Sequence, residues 1–437
     1  MFPPATYATR RQQLAESVQT GLIFLPGNRE APMRYTDNAY PFRQDSNFRY
    51  FAGHNLPDLA LTIDAATGAS RLWGDDISLD HVIWMGEQPS VAELAQQIGA
   101  ERGGTLAELS ATLKAYARDV KFLPPYRAER VTFLKEHLGA DAGADEGLIR
   151  AVIALRSVKS AEELEQMSIA VKTSLAMHAA AKAHAAPGQL EHETAGLIEG
   201  MAIAGGGRLA YPAIVTRNGQ ILHNHYHGNV LQKGDLLLID AGAEATSGYA
   251  GDITRTFSVG QPLTKKQEEI YRIVDQAKTE AIANARPGIQ NRTLHDQAGR
   301  LIFDGLKALG LTKGDPDESV AAGAHALFMP HGLGHMIGLD VHDMEDLGED
   351  LVGYDAETQR STQFGTRNLR LGRELREGFA ITVEPGIYFI PALIDRWKAE
   401  GTCAEFINFG KLEAYRDFGG IRLEDNVVIT GEGSRVL

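Results

Sequence analysis

Residues 236–257 read LLLIDAGAEATSGYAGDITRTF and contain two aspartates, Asp240 and Asp252. Asp240 ends an apolar run, where burial of a lone carboxylate costs several kcal/mol unless a cation pairs with it. The segment GAEATSG between the aspartates is typical of a turn. The flanking runs are therefore predicted to form the antiparallel strands of a hairpin, with both carboxylates able to lie on one face.

Two more carboxylates occur in apolar, strand-like segments. Glu384 lies in AITVEPGIYF and Glu424 in GGIRLEDNVVI. Any one of the four carboxylates, taken singly, is better explained as a core residue that an arginine or backbone amides satisfy. Four in similar settings indicate a shared site. Residues 329–343, MPHGLGHMIGLDVHD, add three histidines in a glycine-rich segment, namely His331, His335 and His342.

Four carboxylates and one imidazole form a hard, oxygen-rich donor set. Such a set favours Mn²⁺ or a similar divalent ion over a purely structural zinc site. Two divalent ions would neutralise the four carboxylates and lower the pKa of bound water toward neutrality. The residues therefore predict metal-assisted hydrolysis.

Length and charge narrow the class of protein. The chain has 437 residues, enough for two or three domains, and a formal net charge of −14, which disfavours nucleic acid and anionic membranes as partners. No apolar run approaches the roughly 20 residues of a membrane helix. The single cysteine, Cys403, and the lack of a secretory pattern lead us to expect a reducing, cytoplasmic setting.

The pattern of elements changes near residue 155. Before it, helix-like stretches near 91–99 and 105–118 alternate with short strand-like runs, which predicts a compact α/β domain over 1–155. The strand-like runs are GLIFLPG from Gly21, FRYFAG from Phe48, LALTID from Leu59 and SRLWG from Ser70. After it, Ser160-Ala-Glu-Glu163 is a capping box that opens a long helix of a second domain over 156–437.

The second domain contains the same helix–Pro-Gly–helix pattern twice. A helix stops at Pro187-Gly188, and a second helix, opened by a capping box at Thr264, stops at Pro287-Gly288, one hundred residues later. A duplicated α+β unit with a site between its halves explains this repeated pattern. Chance explains it as well, because a helix followed by Pro-Gly and another helix is ordinary punctuation.

Five residues resemble, in their order and local context, the metal ligands of the pita-bread metallopeptidases, which include methionine aminopeptidase, aminopeptidase P and prolidase. These residues are Asp240, Asp252, His335, Glu384 and Glu424. Residues 40–53, YPFRQDSNFRYFAG, resemble the N-terminal domain of the proline-specific branch. Residues 387–395, IYFIPALID, and 418–430, FGGIRLEDNVVIT, resemble eukaryotic-type prolidase. The resemblance implies an α+β protein: an N-terminal α/β creatinase-like domain and a pita-bread catalytic domain with a duplicated α+β core and a mainly antiparallel sheet.

The resemblance assigns the metal ligands residue by residue. Asp240 and Glu424 correspond to ligands shared by two metals. Asp252 corresponds to a chelating ligand of one metal, and His335 and Glu384 to ligands of the other. The implied cofactors are two divalent ions, with Mn²⁺ favoured and Zn²⁺ or Co²⁺ left open.

The resemblance also assigns catalytic roles. Glu384 resembles the proton shuttle, and Arg422 the arginine that braces the site. His223 corresponds to a histidine beside the substrate carbonyl, His342 to one that contacts the scissile region, and His331 to a more peripheral partner.

Arg370 bears on specificity. It lies in an arginine-rich segment, 360–376, which a solvated basic loop explains equally well. By resemblance it corresponds to the prolidase arginine that grips the C-terminal carboxylate of a dipeptide, and a guanidinium fork suits that task. We therefore expect an Xaa-Pro dipeptidase. Aminopeptidase P, which acts on longer peptides, is the nearest alternative; a non-catalytic peptide-binding scaffold and metal-free creatinase are more distant ones.

By the same resemblance we expect a homodimer, in which a neighbouring subunit lends a loop to the pocket. Trp84 in VIWMG or residues 40–43 are candidates for that loop, although a core strand better explains most of these residues. Two departures from the family pattern affect the site. The spacing from Asp240 to Asp252 is one residue longer than usual, and the segment from Tyr211 to His223 is two residues shorter, which changes the pocket around the substrate's first residue.

Overall fold

The computed structural model describes residues 1–139 and 142–437. These residues form two compact units. The first unit comprises Met1–Arg156 with the short segment Asp346–Gly348, and the second comprises Ser157–Glu345 with Glu349–Leu437.

A five-stranded mixed sheet with the strand order β4-β3-β2-β1-β5 organises the first unit. Its central strands pair antiparallel, whereas β4 and β5 each pair parallel to their neighbours. The strands are β1 (Leu22–Pro26), β2 (Ala60–Asp64), β3 (Ser70–Trp73), β4 (Arg102–Gly104) and β5 (Val120–Phe122). The helices are α1 (Pro4–Val18), α2 (Ser46–Ala52), α3 (Leu79–Met85), α4 (Val91–Gln97), α5 (Leu106–Tyr116), α6 (Ala128–Leu138) and α7 (Glu146–Ser157).

The strand predicted from FRYFAG is wrong, because this segment lies in the helix α2. Asp45 caps the helix by accepting a hydrogen bond from the Phe48 amide at 2.8 Å, and Gly53 ends it at a φ of 69°. Every residue of α2 is buried. A helix without a polar face has no helical periodicity in its sequence, so its aromatic run imitates a buried strand.

The core strand considered for Trp84 is also wrong. Residues 79–85 form the helix α3, which Ser78 caps by accepting from the His81 amide. The Trp84 side chain is 84% exposed, and α3 contains no buried residue. The apolar letters of VIWMG thus belong to a surface helix rather than to the core.

Two pairs of long helices dominate the second unit. In each pair a long helix is followed by Pro-Gly and a second helix that packs against it. Capping boxes at Ser160 and Thr264 open the first helix of each pair, as the sequence predicts. The helices of this unit are α8 (Ala161–His184), α9 (Glu191–Ala204), α10 (Lys265–Asn284), α11 (Asn291–Ala308), α12 (Pro316–Ala322), α13 (Glu349–Gly353), α14 (Pro391–Glu400) and α15 (Phe409–Leu412).

The strands of the second unit pair antiparallel throughout the described pairings. They form small sheets with the orders β10-β8-β7, β11-β14-β15, β12-β13 and β6-β9. The strands are β6 (Arg208–Leu209), β7 (Ile214–Thr216), β8 (Leu236–Asp240), β9 (Ala243–Glu244), β10 (Thr254–Ser258), β11 (Ala380–Val383), β12 (Gly386–Tyr388), β13 (Gly420–Arg422), β14 (Asp425–Ile429) and β15 (Ser434–Val436).

The hairpin predicted from residues 236–257 is present as the antiparallel pair β8 and β10, in which Asp240 pairs with Thr254. The connection is longer than a simple turn, since it includes β9, which pairs with β6. Within the described part of the chain, no helix combines the length and the apolar character that a bilayer crossing requires.

Candidate active site and metal centre

The alternation of side chains along β8 directs Asp240 into the site. Leu237 and Ile239 belong to the apolar cluster that β8 forms with α8 and α9. Leu238 lies on the opposite face, in a small cluster with Tyr388. Because successive side chains of a strand point to opposite faces, Asp240 shares the face of Leu238 and not the helix-packed face.

Tyr211 joins the two aspartates of the hairpin. Its hydroxyl lies 2.7 Å from Asp240 Oδ1 and 2.5 Å from Asp252 Oδ1. Asn426 fixes the backbone of Asp252 from both sides: its Oδ1 accepts from the Asp252 amide at 2.9 Å, and its Nδ2 donates to the Asp252 carbonyl at 2.7 Å. Both aspartates therefore face one point, as the hairpin prediction requires.

His335 reaches this point from a glycine-rich segment that runs beside β11. Its amide donates to Thr382 Oγ1 at 3.1 Å, and its carbonyl accepts from the Thr382 amide at 2.9 Å. His335 Nδ1 lies 2.9 Å from the Met336 carbonyl, so Nδ1 carries a proton and Nε2 faces the carboxylates. Nε2 lies 3.4 Å from Asp252 Oδ2 and 3.6 Å from Glu384 Oε1.

Glu384 and Glu424 complete the cluster from the other sheets. Glu384 lies between β11 and β12, and its amide donates to the Leu333 carbonyl at 2.8 Å. Glu424 lies between β13 and β14 and forms a bridge with Thr254, whose hydroxyl donates to Glu424 Oε2 at 2.6 Å. Ligand atoms of Asp252, His335 and Glu424 lie within 4.8 Å of one another. The five side chains predicted to bind metal therefore converge in the structure.

The charges of this cluster favour a bound cation. Burial, together with the negative charges of Asp252, Glu384 and Asp240, raises the pKa of Glu424 well above its usual range. Burial alone would lower the pKa of His335, but the hydrogen bond to Asp252 and the charge of Glu384 raise it to about 9. In the metal-free cluster, Glu424 and His335 therefore tend to retain protons. The oxygen-rich donors with one imidazole fit divalent ions, which would replace those protons.

Arg422 braces the cluster on one side. Its Nη2 lies 2.6 Å from Asp240 Oδ2, and its Nη1 donates to the Tyr388 hydroxyl at 2.9 Å. His331 Nε2 lies 2.9 Å from the same hydroxyl, and its Nδ1 lies 2.8 Å from the Gly332 carbonyl. Burial and the charge of Arg422 lower the pKa of His331 to about 3, so this imidazole is neutral at physiological pH.

The five candidate ligands border a cavity of about 550 Å³, and the other predicted site residues line the same cavity. These other residues are His223, His331, His342, Arg370 and Arg422. The ring centroid of His342 lies 4.2 Å from that of His335. Burial lowers the pKa values of His223 and His342. Arg370 is half-buried and pairs with two glutamates, Glu345 and Glu349.

Sequence reasoning missed several residues that hold this site together, above all Tyr211, Tyr388 and Asn426. One signal was available for Tyr388. It follows Glu384 by four residues in an extended segment, and such residues share one face of a strand. The same signal was available for Asn426, which follows Glu424 by two residues at the start of β14. For Tyr211 the chain carries no comparable signal, because its partners are distant in sequence.

Two family models match the chain. The model of metallopeptidase family M24 matches residues 165–431, and that of the aminopeptidase P N-terminal domain matches residues 7–123. The chain belongs to metallopeptidase family M24. The pita-bread resemblance and the two-domain α+β architecture are thereby confirmed. Membership of family M24 implies divalent metal ions at the site.

Named relatives of this M24 chain include proteins of both proline-specific kinds. Human Xaa-Pro dipeptidase is 30% identical over 100% of this chain and 91% of its own length. A probable Xaa-Pro aminopeptidase of Fusarium vanettenii is 34% identical over 99% of this chain and 93% of its own length.

Solved structures point to the same branch. An Escherichia coli aminopeptidase P variant in complex with substrate matches with a TM-score of 0.83 and 30% identity, over 100% of this chain and 94% of that one. Proline aminopeptidase P II from Yersinia pestis matches with a TM-score of 0.81 and 30% identity, over 100% and 96%. This M24 chain is therefore a relative of Xaa-Pro peptidases, and the comparisons leave its preference for dipeptides or longer peptides open.

Proposed function

We propose that this M24 chain is an Xaa-Pro dipeptidase that releases C-terminal proline. The observation that carries the proposal is the position of Arg370, a half-buried guanidinium in the wall of the cavity that the five candidate ligands border. A guanidinium there provides a site for the free carboxylate that every dipeptide has and that a longer peptide presents elsewhere.

In this proposal two divalent ions, with Mn²⁺ preferred, are held by the convergent cluster. Asp240, Asp252, His335, Glu384 and Glu424 would hold these ions. Asp252 reaches both sides of the cluster, since it shares the Tyr211 hydroxyl with Asp240 and faces His335 Nε2 at 3.4 Å. Bound there, the ions supply Lewis acidity toward a carbonyl oxygen and lower the pKa of bound water.

The protein's own groups then have separable tasks. Burial raises the pKa of the Glu384 carboxyl in the metal-free protein. Its place in the cavity wall, 3.6 Å from His335 Nε2, suits a group that takes up and returns a proton. Neutral imidazoles at His223 and His342, which line the cavity, stabilise the carbonyl oxygen and assist the leaving nitrogen. Arg422 and His331 act behind them by fixing Asp240 and Tyr388.

Proline explains why such a site is useful. An Xaa-Pro bond has no N–H, and its φ angle is fixed, so an enzyme that depends on hydrogen bonding that N–H acts on it poorly. A nucleophile that a charged, preorganised cluster orients can attack the carbonyl carbon without any hydrogen bond to an N–H of the scissile bond.

An aminopeptidase P acting on longer peptides is the second candidate. The ion pairs of Arg370 with Glu345 and Glu349 favour this candidate, since they reduce the charge that Arg370 offers to a substrate. A non-catalytic peptide-binding scaffold is a more distant candidate, because all five candidate ligands are present and convergent. The homodimer, the cytoplasmic setting and the identity of the metal stay predictions.

The deciding experiment compares Ala-Pro with Ala-Pro-Ala on metal-stripped protein reconstituted with Mn²⁺, following release of alanine. We expect faster cleavage of Ala-Pro. The variant Arg370→Ala should lose about ten- to a hundred-fold in kcat/KM on Ala-Pro, the usual effect of losing a hydrogen bond to a charged group. Arg376→Ala, which removes an exposed arginine of the same segment, is the matched control.

Preferential cleavage of Ala-Pro-Ala would instead establish an aminopeptidase P. Cleavage of neither peptide would favour the binding scaffold. An unchanged rate for Arg370→Ala on Ala-Pro would refute the assignment of Arg370 to the substrate carboxylate.

A further inference from the structure

Two glutamates hold the Arg370 guanidinium through a single nitrogen. Arg370 Nη1 donates to Glu345 Oε2 at 2.5 Å and to Glu349 Oε2 at 3.1 Å. Both acidic residues come from the segment that follows His342, at the start of the short turn Glu345–Leu347 and of α13. Neither was singled out from the sequence, where DMEDLGED resembles a solvated acidic stretch.

A second arginine holds Glu349 from behind. Glu349 Oε1 accepts from Arg360 Nη2, while its Oε2 faces Arg370, so the carboxylate bridges two guanidiniums. Arg360 Nη1 also donates to the backbone carbonyls of Arg367 and Leu369, at 2.9 and 3.1 Å. Arg360 therefore fixes both the partner of Arg370 and the backbone that leads into Arg370.

Glu345 connects the same arginine to the catalytic histidines. Its Oε2 atom, which accepts from Arg370, lies 3.4 Å from His342 Nδ1. The His342 ring in turn packs against His335. A continuous chain of charged and polar contacts thus runs from Arg360 through Glu349, Arg370 and Glu345 to His342.

This arrangement leaves one edge of the guanidinium available. Arginine has five N–H groups, and Nη1 supplies two of them. Among the contacts of the described residues, Nε and Nη2 of Arg370 have no hydrogen-bond partner, and about a third of the side chain, 35%, is exposed. A carboxylate binds a guanidinium through two parallel N–H groups, and the Nε and Nη2 edge provides such a pair.

We propose that Glu345 and Glu349 are positioning residues for substrate selection, which hold Arg370 by Nη1 so that its Nε and Nη2 edge receives the substrate carboxylate. The inference rests on the proposed function, in which Arg370 binds that carboxylate. It adds that the selection depends on a fixed orientation rather than on net charge, because the two glutamates offset the charge of Arg370. The conformational entropy of the Arg370 side chain is therefore lost on folding rather than on substrate binding.

The test compares Ala-Pro with Ala-Pro-amide, which lacks the carboxylate, on the Mn²⁺-loaded full chain. The variant Glu349→Ala should raise KM for Ala-Pro about tenfold, with kcat changed less than twofold, because a guanidinium that must be ordered anew binds more weakly. The KM for the amide should change much less than the KM for Ala-Pro, because the amide has no carboxylate for Arg370 to bind. Glu345→Gln, which keeps an acceptor for Arg370, should stay closer to the wild-type KM than Glu345→Ala.

A double-mutant cycle separates positioning from general structure. In an Arg370→Ala background, Glu349→Ala should have no further effect on KM, because there is no guanidinium left to position. Glu357→Ala, which removes an exposed glutamate of the same segment, is the matched control.

The outcomes distinguish this inference from the proposed function. If Arg370→Ala raises KM for Ala-Pro and Glu349→Ala does not, the positioning role is refuted and the carboxylate site stands. If Glu349→Ala impairs Ala-Pro and its amide equally, the residue has a general structural role and the inference is refuted. If Arg370→Ala leaves KM for Ala-Pro unchanged, both the carboxylate site and the positioning role are refuted.

Discussion

The metal-free protein should become more stable when the candidate ligand Glu424 is replaced by glutamine. Ligand oxygens of Asp252 and Glu424 lie within 4.8 Å of each other, and at an effective dielectric constant of about 20 two unit charges at that distance repel by about 3 kcal/mol. Glutamine keeps an acceptor for the Thr254 hydroxyl, which donates to Glu424 at 2.6 Å. The variant therefore removes the repulsion and preserves the local geometry.

The sign of the pH dependence follows from the pKa of Glu424. Burial and nearby carboxylates raise that pKa well above 4.5 in the folded, metal-free protein. The folded state then binds more protons than the unfolded state, so the free energy of unfolding falls as pH rises above about 4.5. Glu424→Gln should match the wild type near pH 4 and exceed it by up to about 3 kcal/mol at pH 8.

Urea denaturation after treatment with EDTA, at pH 4 and pH 8, measures this difference. Added Mn²⁺ should reverse the order, because the wild type gains stability from the ion that it binds and the variant gains less. Glu432→Gln, at an exposed position, is the control and should behave as the wild type under both conditions. A metal-free Glu424→Gln protein less stable than the wild type at pH 8 would refute the repulsion argument.

Three further predictions concern buried residues other than the five candidate ligands. Lys159 and Asp343 form an ion pair at 2.7 Å with both side chains 1% exposed. Lys159→Met should lower the free energy of unfolding by about 3–5 kcal/mol in urea titrations, because it leaves a buried charge unpaired, and the double variant with Asp343→Leu should recover part of the lost stability. Burial lowers the pKa of His325 from 6.5 to about 4, so stability should fall by about 3 kcal/mol as pH drops through that interval, and His325→Leu should flatten this decline; an unchanged slope would contradict it. A Cβ at Gly334 would lie 2.0 Å from the Thr382 carbonyl oxygen, so Gly334→Ala should displace His335 and weaken Mn²⁺ binding at least about tenfold in calorimetric titration, whereas unchanged affinity would refute that link.

The fold can be predicted from the sequence where local signals are strong. Capping boxes at Ser160 and Thr264 predict the starts of α8 and α10, because they satisfy amide groups within four residues. The apolar run before Asp240 predicts β8, and a buried carboxylate at its end predicts a site. The helix α2 was missed because complete burial removes the polar face that marks an amphipathic helix.

The candidate site is less accessible to such reasoning, because its supporting contacts join distant segments. Tyr211 contacts two aspartates that lie 29 and 41 residues away, and Asn426 fixes Asp252 from 174 residues away. Tyrosine and asparagine are also common as ordinary core or turn residues, so neither residue type indicates the role. Carboxylates in apolar strands are detectable because their burial is costly, whereas the neutral residues that orient them leave no such signal.

The charge of the cluster argues for two ions rather than one. Four carboxylates, those of Asp240, Asp252, Glu384 and Glu424, face one guanidinium, that of Arg422, in a largely buried site. One divalent ion would leave the site negative, and a negative site repels the oxyanion that develops when an amide carbonyl is attacked. Two divalent ions would bring the fixed charge of the site to +1, which would favour deprotonation of a bound water and offset the negative charge of the oxyanion. The same carboxylates therefore create the cost of the metal-free state, which Glu424→Gln should relieve, and supply the charge argument for the two ions that we propose.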